Sequence, residues 1–292
     1  MSIHRDLVTR GGPAEPAPGQ SGADDIRAAA AHLLEAVPGF PEIAVILGSG
    51  LGDWVRDMPA EAVLPYAEIP HFPQPSVSGH GGALFVMTLG GRRVALLSGR
   101  VHLYEGAPAA RAVFPIRALA AAGVRYLITT NAAGGVNPSL RVGDFLLIRD
   151  HLGVLPRMWS SQLGHRPVDS GVWGYDRELS DHLERVAAEH AIRLLNGVLF
   201  WFSGPTYETP AEVKMVRLLG GDAATMSTLP DNIVAWSAGI RSAGLSLITN
   251  HVAPEQPAHT RHSDVVDAAR KAGTTLHRLL TEALATWDKG VT

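Results

Sequence analysis

The feature that most limits the fold of this 292-residue chain is a recurring unit, an apolar run of strand length that breaks at its carboxyl end into glycine, hydroxyl or amide residues. Glu42–Leu47 runs into Gly48-Ser49-Gly50-Leu51-Gly52, and Arg125–Thr130 into Asn131-Ala132-Ala133-Gly134-Gly135. Val198–Phe202 leads to Gly204-Pro205-Thr206-Tyr207-Glu208-Thr209, and Leu245–Thr249 ends in Asn250. Helix-length stretches lie between them, at about 23–37, 109–122, 175–191, 210–219 and 263–287. Buried strands alternating with helices predict an α/β fold, and such folds place ligands at the carboxyl ends of their strands.

Each strand end offers chemistry with more than one reading. The Gly48–Gly52 loop is not a dinucleotide fingerprint, because Asp53 stands where the third glycine belongs, and it lacks the Gly-Lys-Ser/Thr of a P-loop. What is left is either a tight turn or a cradle of backbone N–H groups and the Ser49 hydroxyl for an anion such as phosphate. Glu208 is followed by Thr209-Pro210-Ala211-Glu212, which has the capping Thr, first-turn Pro and third-position Glu of a helix start. Glu208 then either complements that helix N-terminus or accepts hydrogen bonds from a flat, N–H-rich ligand.

The other stretches follow in order. Residues 1–22 lack periodicity and read as a mobile arm, with Ser21-Gly22-Ala23-Asp24 resembling a capping box before a helix whose apolar side is Ile26, Leu33 and Leu34. Leu84–Leu89 and Arg93–Ser98 form a hairpin through Gly90-Gly91. The Pro- and Gly-rich loop before it carries His80, and Gly99-Arg100-Val101-His102-Leu103-Tyr104-Glu105-Gly106 after it groups an Arg suited to an oxyanion with a His and a Tyr. Gly123 closes the next helix as a C-cap, and the small residues 131–135 let a ligand approach the backbone. Phe145–Ile148 is a strand ended by Asp150-His151, and Gly153–Gly174 is a long loop. Ser227 precedes a second capping pattern, Thr228-Leu229-Pro230-Asp231.

Composition sets the outer bounds. With 46% hydrophobic residues the chain supports one substantial core, expected as a single domain over 23–292. A net charge of -3 without basic runs gives no footprint for nucleic acid, so any phosphate site is local. No run is long and apolar enough for a membrane span or a signal peptide, and the absence of cysteine removes thiol nucleophiles and disulfides, so a cytoplasmic protein is expected. No nucleophilic relay or metal-binding helix is recognisable; His259 and His262 alone do not make a metal site, and none is expected.

Taken together, Leu47–Gly52, Gly79-His80, Gly99–Gly106, Thr130–Gly135, Gly204–Thr209, Met226-Ser227-Thr228 and Thr249-Asn250 resemble, in order, the motifs of the trimeric purine nucleoside phosphorylases. The resemblance implies a single α/β domain with a mixed, partly barrel-like sheet flanked by helices, assembled as a homotrimer. It implies reversible phosphorolysis of purine (deoxy)ribonucleosides, with inorganic phosphate as co-substrate and no organic cofactor or metal. Carried over by position, Ser49, His80, Arg100, Ala132 through its backbone, Ser227 and His102 hold phosphate; Tyr104, Met226 and His262 meet the ribose. Ala133, Gly134, Tyr207, Glu208, Thr249 and Asn250 surround the base, with His102, Glu208 and Asn250 as the catalytic set. Glu208 with Asn250 resembles the pair of the 6-oxopurine enzymes, hence inosine and guanosine. A phosphorylase for methylthioadenosine, whose family carries a different base box, one for an unusual purine nucleoside, and a purine-binding scaffold without turnover are the competing readings.

Two departures stand out. The family usually has Val-Gly-Met-Ser where this chain has Ala224-Thr225-Met226-Ser227, which adds a hydroxyl and a methyl beside the ribose. Between Asp150 and Tyr175 the pattern is lost, so the aromatic that closes a neighbouring subunit's sugar site is replaced by Val168 or supplied by Trp173 or Tyr175.

Overall fold

The computed structural model describes residues 22–76, 82–153, 174–253 and 262–288. Its centre is a strand longer than its apolar run. β1 (Ile43–Leu47) is buried at every position, and β5 (Tyr126–Gly135) runs parallel to it with Ile43 opposite Tyr126 and Ile46 opposite Thr129. There β1 ends. β5 continues through the small residues beyond the expected strand end at Thr130, because β9 (Arg241–His251) pairs with it in parallel along its whole length, from Tyr126–Arg241 to Gly135–His251. Backbone pairing, not side-chain propensity, extends the strand.

On the edge that β1 vacates, β8 (Ala223–Thr225) joins β5 only at Gly134 and Gly135. Among the described residues, Thr130–Ala133 of β5 therefore pair with β9 alone. The divergence of β1 and β8 from one strand opens a cleft there, a switch point of the kind at which α/β sheets bind ligands.

The rest of the sheet grows from these strands. β2 (Ala62–Pro65), β3 (Ala83–Leu89) and β4 (Arg92–Ser98) extend it beyond β1, with β3 and β4 joined by the Gly90-Gly91 hairpin turn. On the other side β8 leads to β7 (Leu194–Trp201), β6 (Phe145–Gly153) and β9, and the β5–β9 pairing closes these five strands into a ring. The expected mixed, partly barrel-like sheet is thus present.

Helices cover both faces. On one, α1 (Ala23–Ala36), α2 (Ala109–Ala112), α3 (Phe114–Ala121) and α6 (Leu229–Ser237) pack a core that includes Leu33, Phe114, Leu119 and Ile233. On the other, α4 (Arg177–Glu189) and α7 (His262–Thr286) pack Leu183, Leu276 and Leu280 against Val45 and Leu96. α5 (Pro210–Leu218) covers Phe200 with Val213 and Val216. Full burial of such side chains contributes about 1.5–3 kcal/mol each.

Several local expectations change. Gly22 caps α1 without a side-chain bond, and Leu34 is exposed while Leu33 carries the apolar side with Ala29 and Ala30. The helix expected over 109–122 is interrupted at Val113, where Pro115 starts a new first turn, and ends ahead of a left-handed Gly123. β6 runs on to Gly153, and α4 begins at Arg177 behind Asp176, whose side chain accepts from the Leu179 N–H at 2.8 Å. The arm at 1–21 and loop residues 154–173, with Val168 and Trp173, lie outside the described residues. Tyr175 packs inside its own chain against Ile148 and Gly244.

Candidate active site

The cleft at the fork of β5 opens to solvent and holds about 100 Å³ of space for water-sized groups. Every expected site residue except His80 and His262 lines it. His80 and the side chain of His262 lie outside the described residues.

Glycines form the floor of one end. Gly48 follows β1 directly; a Cβ there would sit 2.9 Å from the Asn131 Cα and the Thr130 carbonyl oxygen, so only glycine lets the loop cross β5 this closely. The Gly48 N–H donates to Thr130 Oγ1 at 3.0 Å, and that hydroxyl donates to the Ile46 carbonyl at 3.0 Å. This pins the turn that carries Ser49.

Arg100 follows β4 and is buried. Its Nη1 donates to Asp231 Oδ2 at 2.5 Å and to Thr228 Oγ1 at 3.3 Å, while Nη2 donates to the Thr130 carbonyl. Thr228 Oγ1 also accepts from Asn131 Nδ2 at 2.9 Å. The Thr228–Asp231 capping pattern is therefore not a cap: Thr228 sits at φ +74°, makes no side-chain cap bond, and gives its hydroxyl to the cleft wall instead. Burial pushes the Asp231 carboxyl above its ordinary range, against the pull of Arg100 and His102.

His102 opens a short 3-10 turn, Leu103–Glu105. Glu105 Oε1 accepts from the His102 backbone N–H at 2.7 Å and lies 3.1 Å from its Nδ1. Glu105 Oε2 accepts from the Ser76 N–H at 2.8 Å and its hydroxyl at 2.6 Å. Burial alone would raise the Glu105 pKa; the bonds from His102 and Ser76 outweigh it and draw it down to about 2. A carboxylate there accepts from Nδ1 and so assigns it the ring's hydrogen. The ring stacks on Tyr104 at 4.8 Å and 13°. Burial, reinforced by Glu105 and Tyr207, lifts the Tyr104 phenol to about 12, so it acts as a neutral hydroxyl.

A further part of the cleft wall is built by the loop between β7 and α5. Gly204 at φ +68° lets this loop meet Met226 and Tyr104: an added Cβ would lie 2.5 Å from Met226 Sδ and 2.7 Å from Tyr104 Cδ1. Thr209 and Glu212 form a complete capping box for α5, with Thr209 N–H to Glu212 Oε2 at 2.8 Å and Glu212 N–H to Thr209 Oγ1 at 3.3 Å. The helix is capped without Glu208. Burial, with the nearby Glu212 charge, pushes the Glu208 pKa up, and its carboxyl borders the cleft beside Tyr207.

Asn250 reaches the cleft through a bulge. The β5–β9 register pairs Ala133 with Ile248 but Gly134 with Asn250, so Thr249 is one extra residue. Thr249 Oγ1 lies 3.0 Å from Asn250 Oδ1 and 3.3 Å from the Ala133 carbonyl, so its single hydrogen serves the amide and the neighbouring strand in turn. Gly134 leaves room for the amide, since a Cβ there would be 3.3 Å from Nδ2 and 2.4 Å from Val252 Cγ2.

Thr225, one of the two departures, is buried and donates to the Ala132 carbonyl at 3.0 Å, with its hydroxyl 3.4 Å from Ser227 Oγ. The added hydroxyl thus bonds to the seam between β8 and β5.

Asp231, Thr228 and Ser76 had no site role in the sequence reading. The usable signal was Asp231 itself, an acidic residue within the apolar run Leu229–Val234, which needs a buried cation as partner.

Among the described residues no group of three or more His, Asp or Glu side chains is placed to hold a metal, and no helix is long and apolar enough to cross a membrane.

Comparison with known proteins agrees with this geometry. The sequence matches the Phosphorylase superfamily over residues 42–285. It is 38% identical to purine nucleoside phosphorylase 1 of Bacillus subtilis over 271 residues, covering 91% of this chain and 99% of that protein. It is 37% identical to the purine nucleoside phosphorylase of Mus musculus over 282 residues, covering 91% and 97%. The fold superposes on a Schistosoma purine nucleoside phosphorylase solved with hypoxanthine at a TM-score of 0.83 and 32% identity, covering 91% and 98% of the two chains. With the Schistosoma mansoni enzyme solved with inosine the values are 0.82 and 31%, covering 92% and 98%. On these grounds the chain belongs to the phosphorylase superfamily.

Proposed function

We propose that this protein catalyses the reversible phosphorolysis of purine (deoxy)ribonucleosides, inosine and guanosine first, to the free base and (deoxy)ribose 1-phosphate. The observation that carries the reading is one cleft lined both by oxyanion donors, Arg100, Ser49 and Ser227, and by a carboxylate, Glu208, and an amide, Asn250. Solved relatives hold hypoxanthine and inosine.

Phosphate rests on Ser49, Arg100, the Ala132 backbone and Ser227, with His102 Nε2 beside it and His80 from the preceding loop. Ribose lies between Tyr104 and Met226, with His262 at its far end. The base lies along Tyr207, Ala133 and Gly134, gives N1–H to Glu208, and meets the amide of Asn250, with Thr249 beside it. A phosphate oxygen attacks C1′ as the C1′–N9 bond breaks; the electron pair leaves with the purine, which takes a proton. Positive charge on the ribosyl ring faces phosphate, and negative charge on the purine faces Asn250. Phosphate is a competent nucleophile at neutral pH, so the site positions its reactants and needs no relay.

Assembly as a homotrimer and a cytoplasmic location complete the reading; light scattering of the purified protein tests the first. The activity is tested by following hypoxanthine release from inosine with and without inorganic phosphate, beside adenosine and methylthioadenosine. Phosphate-dependent release from inosine supports the proposal; tight hypoxanthine binding without turnover, or preference for methylthioadenosine, defeats it.

A further inference from the structure

Asp231 is a negative charge buried directly behind the cation expected to bind phosphate, with side-chain exposures of 10% for Asp231 and 6% for Arg100. A carboxylate so placed opposes an incoming phosphate electrostatically, so its presence asks for a different explanation. Geometry supplies one. Arg100 Nη1 carries two hydrogens, and both are directed, one to Asp231 Oδ2 at 2.5 Å and one to Thr228 Oγ1 at 3.3 Å. An oxyanion therefore cannot take either Nη1 hydrogen without displacing Asp231 or Thr228, while Nη2 also donates to the Thr130 carbonyl. Thr228 is held at φ +74° while its hydroxyl receives both Arg100 and Asn131, an uncommon backbone state for a β-branched residue, maintained where two cleft-wall side chains meet.

We propose that Asp231 is a positioning residue for phosphate: with Thr228 it engages Nη1 of Arg100 and so turns the remaining guanidinium edge toward the cleft. The inference rests on the reading of Arg100 as a phosphate donor. Asp231 touches no substrate; it acts by removing the other orientations that a long, flexible arginine has, so that binding phosphate does not have to order it. It also keeps the unliganded site from burying an unpaired charge.

The test is steady-state phosphorolysis by the full-length Asp231→Asn, Asp231→Glu and Arg100→Met proteins and the Arg100→Met/Asp231→Asn double variant, with phosphate and inosine varied separately. Asp231→Asn is expected to raise the KM for phosphate about tenfold, with the KM for inosine changing less than about twofold. Asp231→Glu, which keeps the charge but displaces it by one methylene, is expected to raise the phosphate KM by about threefold or more, so a poorly folding Asn variant does not end the test. In the Arg100→Met background, Asp231→Asn is expected to add less than about twofold, because the residue to be positioned is gone. A phosphate KM that stays the same or falls in both Asp231 variants, while Arg100→Met raises it, overturns the inference and leaves the phosphate site standing. A full additional effect in the double variant also overturns it. A wild-type phosphate KM in Arg100→Met overturns the reading of Arg100, and the role of Asp231 with it.

Discussion

Replacing Glu208 with Gln separates the two roles that its sequence position allows. The α5 capping box is complete without it, so the stability at risk is the interaction of a half-buried charge with the helix N-terminus, roughly 0.3–1 kcal/mol. In a chain of this size that moves the melting temperature by only about 1–4 °C. A hydrogen bond from a purine N1–H to a carboxylate is larger, about 1.5–3 kcal/mol, so kcat/KM for inosine should fall by about 10- to 150-fold. The sign of the pH dependence adds a second test. Burial raises the Glu208 pKa above the ordinary carboxylate value, so the accepting form is lost at a higher pH than usual as the solution is acidified. The protonated carboxyl is a donor and matches the bare N1 of a 6-aminopurine. The adenosine-to-inosine ratio of kcat/KM should therefore rise on acidification in the wild type and stay flat in Glu208→Gln. The assay is absorbance-monitored phosphorolysis of both nucleosides across pH, with melting curves alongside. An unchanged inosine kcat/KM accompanied by a melting temperature lower by many degrees would refute the argument and return Glu208 to the helix.

Four further outcomes are expected. Asn250→Ala should lower kcat by about 100-fold, as losses of transition-state donors do, and single-turnover rates would show it directly. Gly204→Ala forces a Cβ to within 2.5 Å of Met226 Sδ at φ +68°, and should raise the KM for nucleoside by about tenfold while sparing that for phosphate. Glu105 has a folded pKa of about 2 against an ordinary value of 4.5, so the stability it contributes is complete above the ordinary value and is lost as pH falls toward 2; urea melts between pH 5 and 3 should show a shallower acid loss in Glu105→Gln than in wild type. Thr225→Val keeps the shape but removes the donor to the Ala132 carbonyl, and should cost roughly 1–3 kcal/mol in denaturant melts, whereas Thr225→Ser should stay close to wild type.

Much of this site was legible because strand ends in an α/β sheet converge, so residues such as Ser49, Arg100, Glu208 and Asn250, far apart in sequence, border one cleft. The Thr209–Glu212 box was equally readable, since capping is set by residues three apart. What the sequence hid depends on partners across the fold. Residues 131–135 lie beyond the expected strand end and are strand because β9 runs beside them. Thr228 and Asp231 have the spacing of a cap and serve Arg100 instead, a contact across more than a hundred residues that no local pattern encodes. Thr225 was visible as a departure, but its bond to Ala132 follows only from the β5–β8 seam.

The extra residue at Thr249 has a consequence for how this protein tolerates change. Asn250 is placed by its pairing with Gly134, one step beyond the pairing of Ala133 with Ile248, so the bulge and not simple alternation along β9 sets its direction. Losing one residue between Leu245 and Thr249 would be taken up here, restoring an unbroken ladder with Asn250 still opposite Gly134. At this point the strand carries one residue of slack, so identity at Asn250 is a stricter requirement than the length of chain leading to it.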